Sequence, residues 1–384
     1  MKIIISPDSF KGSLDAVQAA RAINNGVLKV FPNAKTVLLP VADGGEGTLD
    51  TLVASTNGRV VDVSVVGPLG EMVAGSYGVL GDGVTCVIEM ALASGLSYVS
   101  EGELSASKTT TYGTGQLIRQ ALDDGFTSFI LALGGSATND GGVGMLQALG
   151  MKVQDEKGED ISYGGGEIGK VHRIDVSSFD SRIKNCDFII ASDVQNPLVG
   201  EMGASRVFGP QKGADNNMVE MLDQNMTHWA DEIEKVTGIH LHNRSGAGAA
   251  GGIGGAFQAF FPATMKRGID VVLEQIRFSD ALIDSDLVLT GEGQVDEQTT
   301  SGKTPMGVAQ TASVKGVPTI IIAGSLGAGI EELYKFGVVS INSIVNKPMT
   351  LNEAVEGVKE LLEASTEQIV RSFFYKQLTE LKCT

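Results

Sequence analysis

Acidic side chains recur beside glycines in short stretches that adjoin apolar runs. PDSFKGSL (7–14) puts Asp8 and Lys11 between a strand-like start and a helix-like segment. A helix N-terminus there would offer free N–H groups to an anion. PVADGGEGT (40–48) places Asp43 and Glu46 around two glycines, a pattern that suits a metal or a substrate hydroxyl as well as a tight turn. ALGGSATNDGG (132–142) brings Gly134, Gly135, Ser136 and Thr138 into one turn. Its backbone N–H groups can form an anion nest to which the two hydroxyls add donors. LTGEGQVDEQTTSGKTP (289–305) carries Glu292, Asp296 and Glu297, with Thr299, Thr300, Ser301 and Lys303 as donors. A fifth stretch (193–214) begins at Asp193 and carries Arg206 and Lys212, the positive charges in a long loop. Loops of that length without structure of their own are usually functional.

Donors for phosphates, carboxylates for Mg²⁺ and a residue that positions a hydroxyl are what phosphoryl transfer requires. Other chemistries fit less well. The GKT at 302–304 is not a P-loop, because the required earlier glycine position, 297, holds Glu. GAGAAG (246–251) matches GxGxxG without a convincing preceding strand, which leaves an NAD(P)-dependent dehydrogenase as an alternative class. His240 and His242 alternate on a strand-like run, a conceivable metal pair with no third ligand evident from the sequence. There is no GxSxG elbow and no Cys beside a plausible base. A non-catalytic organic-acid sensor is a further alternative, but pure binding needs fewer acids and lysines than these loops supply.

These loops must be held by an α/β framework. Residues 2–6 and 36–39 read as strands, and Ser13 as the cap of a helix with Leu14, Val17, Ala20, Ile23 and Val27 on one face. Further strands are expected at 60–66, 78–80 and 84–89, then at 127–133 and 187–192, with helices at 109–121 and 217–236. Near the C-terminus, DLVLT (286–290) and PTIIIA (318–323) are buried strands by composition, and 338–341 a third. Thr350 and Glu353 make a capping box for a helix burying Leu351, Val355, Val358, Leu362, Ile369 and Phe373. Apolar strands separated by helices imply a parallel sheet covered on both faces. The expected fold is α/β: one parallel-sheet domain from both chain ends (1–92 and 286–384), with a second α/β domain (93–285) inserted.

Composition sets the limits. A length of 384 residues gives a prior of two domains, and 42% hydrophobic content supports a core in each. The net charge of −17 argues against broad binding to nucleic acid or an anionic membrane, and the longest uncharged stretch (245–265) is too glycine-rich for a span. Cys86, Cys186 and Cys383 form no pairable or zinc-like pattern, so a reducing cytoplasm is the expected location.

Taken together, PDSFKGSL, PVADGGEGT, LGGSATNDGG, NPLVGEMGASRVFGPQKGA, GAGAAGG and LTGEGQVDEQTTSGKTPMGVA resemble the bacterial type I glycerate kinase family, in family order and across essentially the whole chain. Arg244 and Ser245 depart from the family's usual Pro before GAGAAGG. The resemblance implies ATP-dependent phosphorylation of D-glycerate with Mg²⁺, giving 2-phosphoglycerate rather than the 3-phosphoglycerate isomer. It also implies a discontinuous Rossmann-like domain with the active site in the cleft between domains. On that reading Asp193, Asp43 and Lys11 are the candidate catalytic groups. Gly134, Gly135, Ser136, Thr138 and Lys303 would bind ATP phosphates; Asp8, Lys11, Arg206 and Lys212 would bind the acceptor; Asp296, Glu292 and Asp43 would hold Mg²⁺. The partners expected are ATP and glycerate, with a homodimer left open.

Overall fold

The computed structural model describes residues 1–300 and 303–381; Ser301, Cys383 and the Thr300 side chain lie outside the described residues. The strands in chain order are β1 (Lys2–Ile5), β2 (Lys35–Leu38), β3 (Arg59–Val66), β4 (Met72–Val79), β5 (Thr85–Glu89), β6 (Ser128–Ala132), β7 (Lys152–Gln154), β8 (Arg173–Asp175), β9 (Asp187–Ala191), β10 (Ala263–Lys266), β11 (Leu287–Val295), β12 (Thr319–Leu326) and β13 (Val338–Ser343). Two compact units result: residues 1–43 with those from 269 on, and residues 44–268.

The first unit has a five-stranded sheet in the order β13-β12-β11-β1-β2, parallel throughout. β1 lies between β11 and β2, so both chain ends build one sheet. The run Ile3, Ile4 and Ile5 is fully buried, as a strand covered on both faces requires. On one face the helices Ala16–Val30 and Val358–Phe373 pack together through Ala19, Ile23, Val27, Leu362 and Val370. Gly26 permits their approach: a Cβ there would lie 2.5 Å from the Glu363 carbonyl oxygen. On the other face Met306 and Ala309 meet Val295, Ile321 and Leu333.

The second unit has a six-stranded mixed sheet, β10-β9-β6-β5-β4-β3. β5, β6, β9 and β10 are parallel, and β3 and β4 form an antiparallel hairpin on β5. Its core includes stacked Phe129 and Phe188, with ring centroids 4.7 Å apart. The sole tryptophan, Trp229, is buried and donates its indole N–H to the Gly141 carbonyl at 3.1 Å.

Several local expectations need correction. The inserted unit begins at 44, not 93, because β5 pairs residue for residue with β6 from Thr85↔Ser128 to Glu89↔Ala132. It ends at 268, not 285. Ser13 does not cap the first helix: its hydroxyl donates to the Phe10 carbonyl, and Asp15 accepts from the Gln18 N–H instead. β11 continues past Thr290 to Val295, so Glu292 sits on a strand rather than in a loop. Gly291 allows this, since a Cβ there would meet the Ile322 carbonyl oxygen at 1.8 Å. The Thr350–Glu353 capping box is present, but its helix stops at Glu356, and Leu351 is 78% exposed.

Candidate active site

Parallel strands end at the same sheet edge, so the loops after them meet there. In the first unit this edge bounds a cavity of about 610 Å³ whose lining includes Asp8, Lys11, Asp43, Glu292, Asp296 and Lys303. The Asp8 N–H donates to the Gly291 carbonyl at 2.8 Å, tying the loop after β1 to β11. The Asp8 carboxylate accepts from the Thr304 hydroxyl at 2.6 Å and from the Ser9 N–H at 2.6 Å. Burial, and then the Asp43 charge, push its pKa up to about 6. Glu292 accepts from the Thr299 hydroxyl at 2.7 Å. Its pKa rises to about 7, chiefly through burial, with Asp8 and Asp43 adding repulsion against the opposing pull of Lys303. The Gln294 amide donates to Asp296 at 2.8 Å. Lys303 precedes the helix Thr304–Val314, with Pro305 in its first turn. Apolar residues line it too: Ile344, Val345, Met349, Leu351, Ala354 and Val355.

The second unit holds the glycine-rich turn. The Lys212 ammonium is buried and donates to the Ser136 hydroxyl at 2.8 Å and to the Thr138 carbonyl at 2.6 Å. Burial pulls its pKa down to about 7, against the opposing charge of Asp140. Asp140 is itself buried and accepts from the Thr111 N–H and hydroxyl, both at 2.8 Å, and from the Gly142 and Gly144 N–H groups. Burial raises its pKa despite those donors. Asn139 donates to the Ser205 hydroxyl at 2.9 Å. The Thr138 hydroxyl and the Asn139 amide oxygen are buried without a hydrogen-bond partner, polar atoms left for a ligand or water. Gly134 donates to the Gly44 carbonyl at 3.1 Å and comes so near the 44–47 loop that a Cβ would lie 2.5 Å from Gly45 Cα. Gly135 has φ +75°, open to glycine at little cost.

The expected site residues thus fall into two sets. Asp8, Lys11, Asp43, Glu292, Asp296 and Lys303 meet in the cavity of the first unit. Gly134, Gly135, Ser136, Thr138 and Lys212 meet in the second. Asp193, also in the second, lies exposed after β9, where its carboxylate accepts from the Gly268 N–H at 3.0 Å. Arg206, expected to hold the acceptor, instead faces Glu220, Asp223 and Glu201 at 3.1, 3.4 and 3.9 Å. Its charge is matched by two carboxylates of the helix Asn216–Thr237 and one of the loop before its own helix. GAGAAG packs against the 134–142 turn rather than following a strand: a Cβ on Gly251 would lie 2.0 Å from the Thr138 carbonyl oxygen. That contact accounts for its glycines without a dinucleotide.

Sequence reasoning missed Glu89. At the end of β5 it accepts from the Gly47 and Leu49 N–H groups, at the start of the helix Thr48–Thr56. Burial lifts its pKa to about 7. The signal was a single charge closing the apolar run TCVI. Thr304 was passed over, though its hydroxyl holds Asp8; Thr299, expected as a donor, holds Glu292.

The sequence profile of the glycerate kinase family matches residues 3–374. Glycerate kinase of Bacillus subtilis (strain 168) is 50% identical over 372 residues, covering 97% of each chain. Glycerate 2-kinase of Escherichia coli (strain K12) is 47% identical over 357 residues, 93% of this chain and 94% of that one. A crystal structure from Salmonella typhimurium LT2, of a chain described as a candidate glycerate kinase 2, superposes with a TM-score of 0.89 at 44% identity, covering 98% and 99% of the two chains. Among the described residues no helix is long and apolar enough to cross a membrane. With the loops that carry the resemblance assembled on two α/β units, this chain belongs to the glycerate kinase family and is an enzyme of the kinase class.

Proposed function

We propose that the enzyme transfers the γ-phosphoryl group of ATP to the 2-hydroxyl of D-glycerate, releasing ADP and 2-phosphoglycerate. The observation that carries this reading is the cavity of the first unit, whose lining combines carboxylates and lysines with apolar side chains. That combination suits a nucleotide with its metal: base and ribose against Met349, Leu351 and Val355, phosphates toward Lys11 and Lys303. The product isomer rests on the E. coli relative, which is named a glycerate 2-kinase.

Mg²⁺ fits the donors present. Asp8, Asp43, Glu292 and Asp296 offer only oxygens, the ligands Mg²⁺ prefers, and the mutual repulsion seen at Asp8 and Glu292 would be relieved by a cation. Bound there, it would neutralise charge on the triphosphate. Lys11 and Lys303 supply further positive charge to the phosphates. In the second unit, Lys212 holds Ser136 and the Thr138 carbonyl, which keeps the backbone N–H groups of the turn aligned for an anion. The acceptor's carboxylate or the moving phosphoryl group is the anion proposed. Phosphoryl transfer through a loose transition state depends on positioning more than on early deprotonation. Asp193 is the proposed group that orients the glycerate hydroxyl and takes its proton as the new P–O bond forms. The buried free thiols Cys86 and Cys186 suit a reducing cytoplasm.

Coupled detection of ADP release with D-glycerate tests the reaction, and phosphorus NMR of the product tests the isomer. Mg²⁺-dependent turnover to 2-phosphoglycerate is expected. Absence of turnover refutes the reaction, and a 3-phosphoglycerate signal refutes the regiochemistry. Asp43→Asn, Asp193→Asn and Asp296→Asn should each lower turnover in a folded protein. If all three retain it, the proposed roles are wrong.

A further inference from the structure

The second unit carries a cluster of metal-ligating side chains that the proposed kinase chemistry does not use. The long helix Asn216–Thr237 buries Trp229, Ala230 and Ile233, which leaves Asp231 and Glu234, one turn apart, on the outward side. Gly238 ends the helix at φ +72°, and the chain doubles back. Leu241 is fully buried and anchors the return. Its neighbours His240 and His242 therefore project to the opposite side, since alternate residues of an extended segment share a face. Their rings stack with centroids 4.5 Å apart. His240 Nδ1 lies 2.9 Å from a Glu234 carboxylate oxygen, and His242 Nε2 lies 3.0 Å from Asp231. One ligand atom from each of Glu234, His240 and His242 falls within 4.8 Å of the other two. The His242 Nδ1 is buried and has no hydrogen-bond partner.

From this geometry we infer that Glu234, His240 and His242 bind one divalent cation of the Zn²⁺, Ni²⁺ or Cu²⁺ class. Two imidazoles and one carboxylate are borderline donors, which suit these ions and not Mg²⁺ or Ca²⁺. Around a tetrahedral ion with bonds near 2.0–2.1 Å, ligand atoms stand about 3.3 Å apart, so small side-chain rotations close the site. Glu234 comes from the helix and the histidines from the return segment, so the ion would tie the helix end to the chain that follows it. Asp231 beside His242 Nε2 is placed as the carboxylate that orients a metal-bound imidazole. The ion is free to enter because Glu234 and His240 are exposed.

The test is Zn²⁺ titration by calorimetry into EDTA-stripped, dialysed protein in excess Mg²⁺, which occupies all-oxygen sites. Wild type is compared with Glu234→Gln and the double variant His240→Ala/His242→Ala. The expected result is one equivalent of Zn²⁺ bound by wild type with micromolar affinity, and a loss of about tenfold or more in each variant. Circular dichroism and ADP release should match wild type in both variants, because Glu234 and His240 are exposed and half-buried His242 pairs only with exposed Asp231. Cobalt absorption in the visible range, present in wild type and absent in the double variant, would report nitrogen ligation directly. Equal Zn²⁺ stoichiometry and affinity in wild type and double variant, or saturation of wild type only at millimolar Zn²⁺, overturns the inference.

Discussion

Replacing Lys212 by Met should change how the stability of the second unit depends on pH. The ammonium is buried, and burial pulls its pKa from the ordinary 10.5 down to about 7. Between those values the unfolded lysine holds a proton that the folded one has released. Unfolding then takes up a proton, and rising pH favours the folded form. Each pH unit in this window is worth up to about 1.4 kcal/mol, and the slope is half of that at pH 7, so wild type should gain about 2 kcal/mol over Lys212→Met from pH 7 to pH 9. Below pH 7 both states are protonated and the two proteins should track each other. Superposed on this is a pH-independent loss of about 1–3 kcal/mol for each of the two acceptors that Met leaves without a donor. Trp229 makes the assay local, since it is the only tryptophan and its N–H is held by Gly141 within the same unit. Urea unfolding at pH 7, 8 and 9, followed by its fluorescence, gives both stabilities. Turnover of the variant, still folded at pH 7, should fall about 100-fold if the 134–140 turn presents its N–H groups to an anion. Parallel pH curves for the two proteins would refute the buried-ammonium argument, and full activity would refute the positioning role.

Glu89→Gln tests the opposite sign. Wild-type Glu89 titrates near 7 against 4.5 when unfolded, so wild-type stability falls by up to about 1.4 kcal/mol per pH unit across that window. The variant should lack this slope in the same fluorescence assay. Gly134→Ala should lower turnover at least tenfold and cost about 1–3 kcal/mol, because its Cβ would meet Gly45 Cα at 2.5 Å; wild-type kinetics would show that the close approach is dispensable. Val355→Asp, in the apolar part of the lining, should raise KM for ATP about tenfold with kcat little changed. An unchanged KM would remove the base from those residues.

The loops that line the cavity were legible because parallel strands end on one edge. The Asp8–Lys11 loop, Asp43 and Lys303 are far apart in sequence but follow strands or begin helices, and they line one cavity. The shared sheet of the two chain ends was legible from the apolar runs at 3–5, 286–290 and 318–323, though periodicity alone could not pair them. Three things escaped. The strand character of GEGQV was hidden by its glycines, which in β11 permit close backbone approach rather than a turn. The unit boundary was missed because strand propensity in 60–89 says nothing about which sheet a strand joins. Leu351 and Val355 read as core by spacing, since helical periodicity finds an apolar face without telling a buried face from a cavity wall. The pairing of Arg206 was hidden for a related reason: a loop's sequence shows a cation but not the three carboxylates that the fold gathers around it.

The position of β1 between β11 and β2 also bears on how the chain acquires its structure during synthesis. β1 and β2 leave the ribosome long before β11, which begins only at Leu287. At about 5–20 residues per second, the intervening stretch takes roughly 12–50 s to make. Throughout that interval Ile3, Ile4 and Ile5 lack the strand that covers one of their edges. The inserted unit, whose six-stranded sheet draws only on residues 59–266, can meanwhile complete its own hydrogen bonding. The nascent N-terminus is therefore the segment on which a holdase chaperone would act, and the sheet of the first unit closes last.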